Sequence, residues 1–257
     1  ERLRAAGAIG LAKTNLSEWA NFRSTRSTSG WSGRGGQVRN PYALDRNPCG
    51  SSSGTGSGVS ANLAAAGIGT ETDGSILCPS SMCGLVGLKP TRGRCSFGPA
   101  LGERWSSLSC EFSVTRSVRD SAALLDAVAG PLPGDPYYAA PPEHSFASAL
   151  VEPLRRLRVG VMTKAPRGIA THAACAEAAR VCARHLECLG HRVEEAHPEA
   201  LDETETVGHY LKIVAANVAR ALEVTGARVG HTLAQPEVEP LTWALASSGR
   251  QLGATDL

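Results

Sequence analysis

Two short segments of the chain bring hydroxyls and glycines together densely enough to do chemistry. The first is Cys49-Gly50-Ser51-Ser52-Ser53-Gly54-Thr55-Gly56-Ser57-Gly58, and the second is Gly69-Thr70-Glu71-Thr72-Asp73-Gly74-Ser75-Ile76. Glycine lets a backbone take positive φ and turn its amides towards a ligand, which a hydroxyl nucleophile beside an oxyanion-binding turn requires. The chemistry that suits such segments is acyl transfer: one serine attacks, a second group moves its proton, and main-chain N–H groups receive the developing charge. A phosphate-binding loop would need Gly-Lys-Ser or Gly-Lys-Thr, and neither occurs. Gly50 to Gly54 also has the G-x-S-x-G spacing of a nucleophile elbow, but an elbow follows a strand, and Arg39-Asn40-Pro41 to Pro48-Cys49 does not read as one. Taken alone, Gly50 to Gly58 fits a flexible linker equally well.

The elements that must hold these serines read as α/β. Glu1 to Gly10 resembles a helix tail ended by glycine, Ala8 to Thr14 a strand, and Ser17-Glu18-Trp19 the opening of a helix. Ser24 to Gly58 lacks apolar periodicity and reads as a long loop, a length that compact domains reserve for function. A tightly packed helix follows from Ser57 to Ala66, then a buried strand at Gly67 to Thr70 and another at Leu85 to Lys89. Ser117-Val118-Arg119-Asp120 resembles a capping box opening a helix through Ala122, Leu125 and Val128, closed by Gly130-Pro131. Leu157, Val159 and Val161 alternate as a strand. Thr171 then begins a helix with apolar positions at Ala174, Ala178, Val181, Leu186 and Leu189, and Gly190 ends it before His191-Arg192-Val193. Strand, helix, strand in that order predicts a parallel crossover. A further helix is expected over Tyr210 to Val224.

Bulk properties exclude several classes of partner. A net charge of +2 from 26 basic and 24 acidic side chains spread along 257 residues leaves no basic block to track a nucleic acid. No apolar run approaches the ~20 residues that cross a bilayer, so no membrane partner is expected. The eight cysteines read as free, mostly buried thiols, and no Cys or His spacing suggests a metal site. Neither a metal nor any other cofactor is expected. Nothing names a compartment, and the cytoplasm stands as the default.

The two serine segments, together with Pro79 and Cys83-Gly84-Leu85-Val86-Gly87-Leu88-Lys89-Pro90-Thr91, resemble the amidase signature family. Ser51 and Ser75 lie 24 positions apart, as do that family's cis-serine and nucleophile, and Lys13-Thr14-Asn15-Leu16-Ser17-Glu18-Trp19 is similar to the segment preceding them. Phe22 to Gly58 looks most like peptide amidases, whereas Ser113 to Asp120 and the stretch around Thr242-Trp243-Ala244 look like the branch that opens aminohexanoate amides. The resemblance implies one amidase signature domain over 1–257, a mixed β-sheet flanked by helices, with the serine core in 1–130 and the rest of the domain in 131–257, incomplete at both termini.

By the same resemblance Ser75 is the nucleophile and Ser51, after a cis peptide bond, relays its proton to a neutral lysine. The amides of Thr72, Asp73, Gly74 and Ser75 form the oxyanion hole, and Ser52, Asp73 and Trp31 are candidate contacts to a small-molecule or peptide amide substrate. A homodimer is a possible assembly. The family's lysine sits in a Gly-Ile-Pro type segment upstream of the Lys-Thr-Asn block, and no match to it occurs between Glu1 and Ala12. Lys13, Lys89, Lys164 and Lys212 are the lysines present, and the expectation is a chain without its general base. Two rivals stand beside the amidase: the glutamine-hydrolysing subunit of a tRNA-dependent amidotransferase, and a non-catalytic truncated relative.

Overall fold

The computed structural model describes residues 1–20 and 36–256. They form two compact units, one of Glu1–Val151 with Ile213–Leu257 and one of Glu152–Lys212.

In the first unit, helix α1 (Arg2–Ala5) stops before Gly7, and a 3₁₀ turn spans Glu18–Ala20. Helix α2 (Ser53–Ser60) leads into strand β1 (Ala66–Glu71), followed by helix α3 (Leu77–Met82), strands β2 (Val86–Gly87) and β3 (Cys110–Thr115), and helices α4 (Val118–Val128) and α5 (Phe146–Ala149). The strands form an antiparallel sheet in the order β1-β3-β2, with Gly67 opposite Val114, Gly69 opposite Phe112 and Glu71 opposite Cys110. Successive strand residues face opposite sides, so Gly67, Gly69 and Glu71 share one face.

Ile76, Phe112, Val114 and Leu125 form a buried cluster, with Leu85, Leu124, Val128 and Phe146 packed against it. Each of these four apolar side chains contributes about 1.5–3 kcal/mol by leaving water. Ser117 caps α4, its Oγ accepting from Asp120 N at 3.1 Å, as its sequence predicts. At the other end Arg2 donates to the carbonyls of Val128, Gly130 and Pro131, a cation set against the negative end of the helix dipole.

In the second unit, strands β4 (Arg158–Val161) and β5 (Arg192–Glu195) pair in parallel around helix α6 (Ala173–Cys188), the predicted crossover. Helix α7 (Glu205–Val229) begins in this unit and continues in the first, where helix α8 (Pro240–Gly249) completes the order.

Several expectations are corrected. Ala8 to Thr14 is not a strand: among the described residues no strand takes up its backbone groups, and Ile9 and Leu11 are exposed. Helix α2 starts earlier than Ser57, inside the glycine-serine run. The inward side of α6 runs through Ala176, Ala179, Ala183 and Leu186, while Ala174, Ala178, Val181 and Leu189 are exposed. Its many alanines offered two faces of nearly equal hydrophobicity. Helix α7 is longer than Tyr210–Val224 at both ends. None of the eight cysteines is in a disulfide, but Cys83 and Cys110 alone are buried, and Cys175, Cys182 and Cys188 are exposed on α6.

Candidate active site

The site is built on bare backbone. A methyl group on Gly69 would lie 2.5 Å from Ser52 Oγ, and one on Gly67 2.5 Å from Thr55 Cγ2, so the start of α2 rests directly on β1. Helix propensity does not explain a helix reading Ser53-Gly54-Thr55-Gly56-Ser57-Gly58, since glycine costs about 1 kcal/mol there relative to alanine. Tertiary bonds hold it: Thr55 Oγ1 donates to Ile68 O at 3.0 Å, and Gly54 N donates to Asn15 O at 2.8 Å.

The Gly50–Ser51 peptide bond is cis, as the resemblance to the amidase signature family implied. Ser17 N donates to Ser51 O at 3.2 Å, which lays the Lys13 to Trp19 block along the serine loop. Ser52 N donates to Ser75 O at 3.1 Å, tying that loop to the turn between β1 and α3. Ser51 is 4% exposed, Ser52 1% and Ser75 7%. Fold and main-chain bonding thus bring together the three serines singled out from sequence.

The turn from Thr72 to Ser75 includes Gly74 at a φ of +117°, where a side chain would be strained. Thr72 Oγ1 donates to Ser109 Oγ at 3.1 Å, and Asp73 is exposed on the turn. Inside it lies a residue the sequence reading passed over. Glu71 is fully buried, and its carboxylate accepts from four successive main-chain amides. Oε1 takes Gly74 N and Ser75 N, the latter at 3.1 Å, and Oε2 takes Ile76 N at 2.7 Å and Leu77 N at 3.0 Å. Two of the four amides assigned to the oxyanion therefore already donate to a carboxylate. The available signal was an acidic residue closing a strand a few positions before a helix start, the place where an anion meets unpaired N–H groups. Across the ladder from Glu71, burial pushes the Cys110 thiol up, against the pull of Lys89.

All four lysines are exposed, and Lys89 Nζ is directed to Pro90 O at 3.1 Å and Cys110 Sγ at 3.9 Å. None of them shares the buried setting of Ser51 and Ser75. Trp31 lies outside the described residues.

The sequence model of the Amidase family matches residues 1–250. The 6-aminohexanoate-cyclic-dimer hydrolase of Paenarthrobacter ureafaciens is 40% identical over 255 residues, which is 98% of this chain and 51% of that protein. A solved structure of 6-aminohexanoate cyclic dimer hydrolase complexed with substrate superposes with a TM-score of 0.93 at 39% identity, over 99% of this chain and 52% of the other. The native peptide amidase from Stenotrophomonas maltophilia superposes with a TM-score of 0.76 at 33% identity, over 98% and 54%. The chain spans about half the length of the curated relatives it matches.

Proposed function

The chain belongs to the Amidase family, that of the amidase signature enzymes, and on that premise we propose that it serves hydrolysis of a carboxamide C–N bond through an acyl-enzyme on Ser75. The observation that carries this reading is the pairing of a buried Ser51 with the buried Ser75 of the next turn, the two segments being tied by the Ser52 N to Ser75 O bond.

An amide carbonyl is a weak electrophile, so the attacking hydroxyl must lose its proton as it bonds and the oxyanion must meet donors. Ser75 Oγ attacks the carbonyl carbon. Its proton passes to Ser51 Oγ while Ser51 passes its own to a base. The oxyanion is received by the amides of Thr72, Asp73, Gly74 and Ser75, the last two shared with Glu71. Collapse breaks the C–N bond, the leaving nitrogen takes back the proton, and water then cleaves the Ser75 ester by the same relay. The base is a neutral amine, and the four exposed lysines do not fit that role: a lysine stays neutral near pH 7 only when burial or a neighbouring cation disfavours its charge. The exposed Asp73, two residues before the nucleophile, is suited to meet a substrate amine.

The substrate class we assign is the amide of an ω-amino acid, cyclic or linear. It rests on the likeness to the 6-aminohexanoate-cyclic-dimer hydrolases along nearly the whole chain, and on a higher TM-score there than with the peptide amidase.

The test is labelling with a fluorophosphonate, mapped by mass spectrometry, in this chain and in a version extended at its N-terminus. One modified peptide carrying Ser75, lost in Ser75→Ala and slowed in Ser51→Ala, is expected. Labelling confined to the extended version assigns the base to the added segment. Selective modification of some other serine, or of none in either version, removes Ser75 as nucleophile.

A further inference from the structure

A fully buried carboxylate is costly unless donors satisfy it, and at Glu71 four main-chain N–H groups do so. Glu71 ends β1 on the face that carries Gly67 and Gly69, and its side chain runs under the turn rather than out to solvent. Among the described residues no Lys, Arg or His forms an ion pair with it, so the partial positive charge of N–H groups must stabilise it. Those groups belong to Gly74, Ser75, Ile76 and Leu77, the nucleophile with its neighbours on both sides. Ile76 stands at the N-cap position of α3 and offers no capping side chain, so the same carboxylate, by accepting from Ile76 N and Leu77 N, anchors the start of the helix that follows the nucleophile.

We propose that Glu71 is the positioning residue of the site, its carboxylate templating the Thr72–Leu77 backbone so that Ser75 and its amide are held in the reactive arrangement. This deepens the assignment of Ser75 as nucleophile and rests on it. A carboxylate can bind four donors because both oxygens accept. The isosteric carboxamide has one accepting oxygen, and its NH₂ group would face two N–H groups as donor against donor. Glu71→Gln therefore loses two of the four bonds at nearly unchanged volume. Glu71→Asp keeps the charge and both oxygens one methylene further back, and restores part of the set.

Two readouts on the same chain decide the matter. In hydrogen exchange, the amides of Gly74, Ser75, Ile76 and Leu77 speed up at least about tenfold in Glu71→Gln, with Glu71→Asp in between, while the β1–β3 ladder amides exchange as in the parent. In fluorophosphonate labelling, the maximal rate at Ser75 falls at least about tenfold in Glu71→Gln with the half-saturating probe concentration kept, and recovers partly in Glu71→Asp. Unchanged exchange at these four amides overturns the proposal even when Ser75 labels normally. Exchange that speeds up equally along the ladder also overturns it, since Glu71 would then be a fold residue. An exchange effect in Glu71→Gln with no labelling at Ser75 in either the parent chain or its N-terminally extended version overturns the nucleophile assignment and leaves the templating of the turn established; where only the extended version labels, the rate comparison is made there.

Discussion

Glu18 should be worth more to this protein than a half-buried glutamate on a short turn usually is. Its Oε2 accepts from Glu239 N at 3.0 Å and from Thr242 Oγ1 at 2.6 Å, which makes it the cap of α8 from more than 200 residues away. Glu239, the residue that begins the helix, makes no capping bond of its own, and Thr242 is fully buried. A hydrogen bond to a charged acceptor is worth about 1.5–3 kcal/mol, and a buried hydroxyl left without a partner costs about 1–3 kcal/mol. These figures describe the same event at Thr242 and do not add. With the helix-dipole term of about 0.3–1 kcal/mol, Glu18→Ala should destabilise the unit by about 2–4 kcal/mol. Glu18→Gln, which keeps a neutral acceptor, should cost about half of that. Urea unfolding followed by tryptophan fluorescence is the assay, because Trp19 and Trp243 flank the contact in sequence. At an m-value of about 2 kcal/mol/M, the alanine variant moves the midpoint down by about 1–2 M. A double-mutant cycle with Thr242→Val should give a coupling of at least about 1 kcal/mol. An alanine variant within about 0.5 kcal/mol of the parent, or strict additivity in the cycle, would refute the capping argument.

Two further outcomes are expected. Gly69→Ala places a methyl 2.5 Å from Ser52 Oγ and 3.0 Å from Ile76 Cγ1, so it should cost about 1–3 kcal/mol in stability and lower Ser75 labelling more than a comparable substitution on the outer face of β1; equal labelling would mean that α2 does not rest on the strand. His231 bonds to Glu237 at 2.8 Å, which raises the imidazole pKa above its ordinary value near 6.5, while Glu237, through the Ala234 amide and His231, is lowered. The contribution of His231 is thus present below its unfolded pKa and lost as pH rises through the folded one, and that of Glu237 is lost as pH falls through its own. An NMR titration should place the His231 midpoint above 6.5 and return it to the ordinary value in Glu237→Gln.

The convergence of the two serine segments was the most legible part of the molecule, because glycines and hydroxyls at close spacing carry the turn geometry in their residue types. Capping by Ser117 and the β4-α6-β5 crossover were readable for the same reason: each depends on neighbours in sequence. Strand β3 was missed although it is the middle strand of its sheet. Burial on both faces puts Ser113 and Thr115 inside alongside Phe112 and Val114, which blurs the apolar alternation. Helix α8 was missed because its cap comes from Glu18 rather than from the preceding residues. Glu71 went unnoticed for a related cause: its partners are main-chain amides, which no residue type advertises.

The contact of α2 with β1 has a bearing on how such a site can change over generations. Where a helix lies on side chains, trimming one and enlarging another offers many small neutral steps. Here Gly67 and Gly69 present backbone alone, and Ser52 and Thr55 fill the remaining gap. Nothing is left to trim on the strand, and any larger residue lifts the helix together with the loop that carries Ser51. Drift is closed in this layer, and variation in substrate preference has to be drawn from segments that do not touch it.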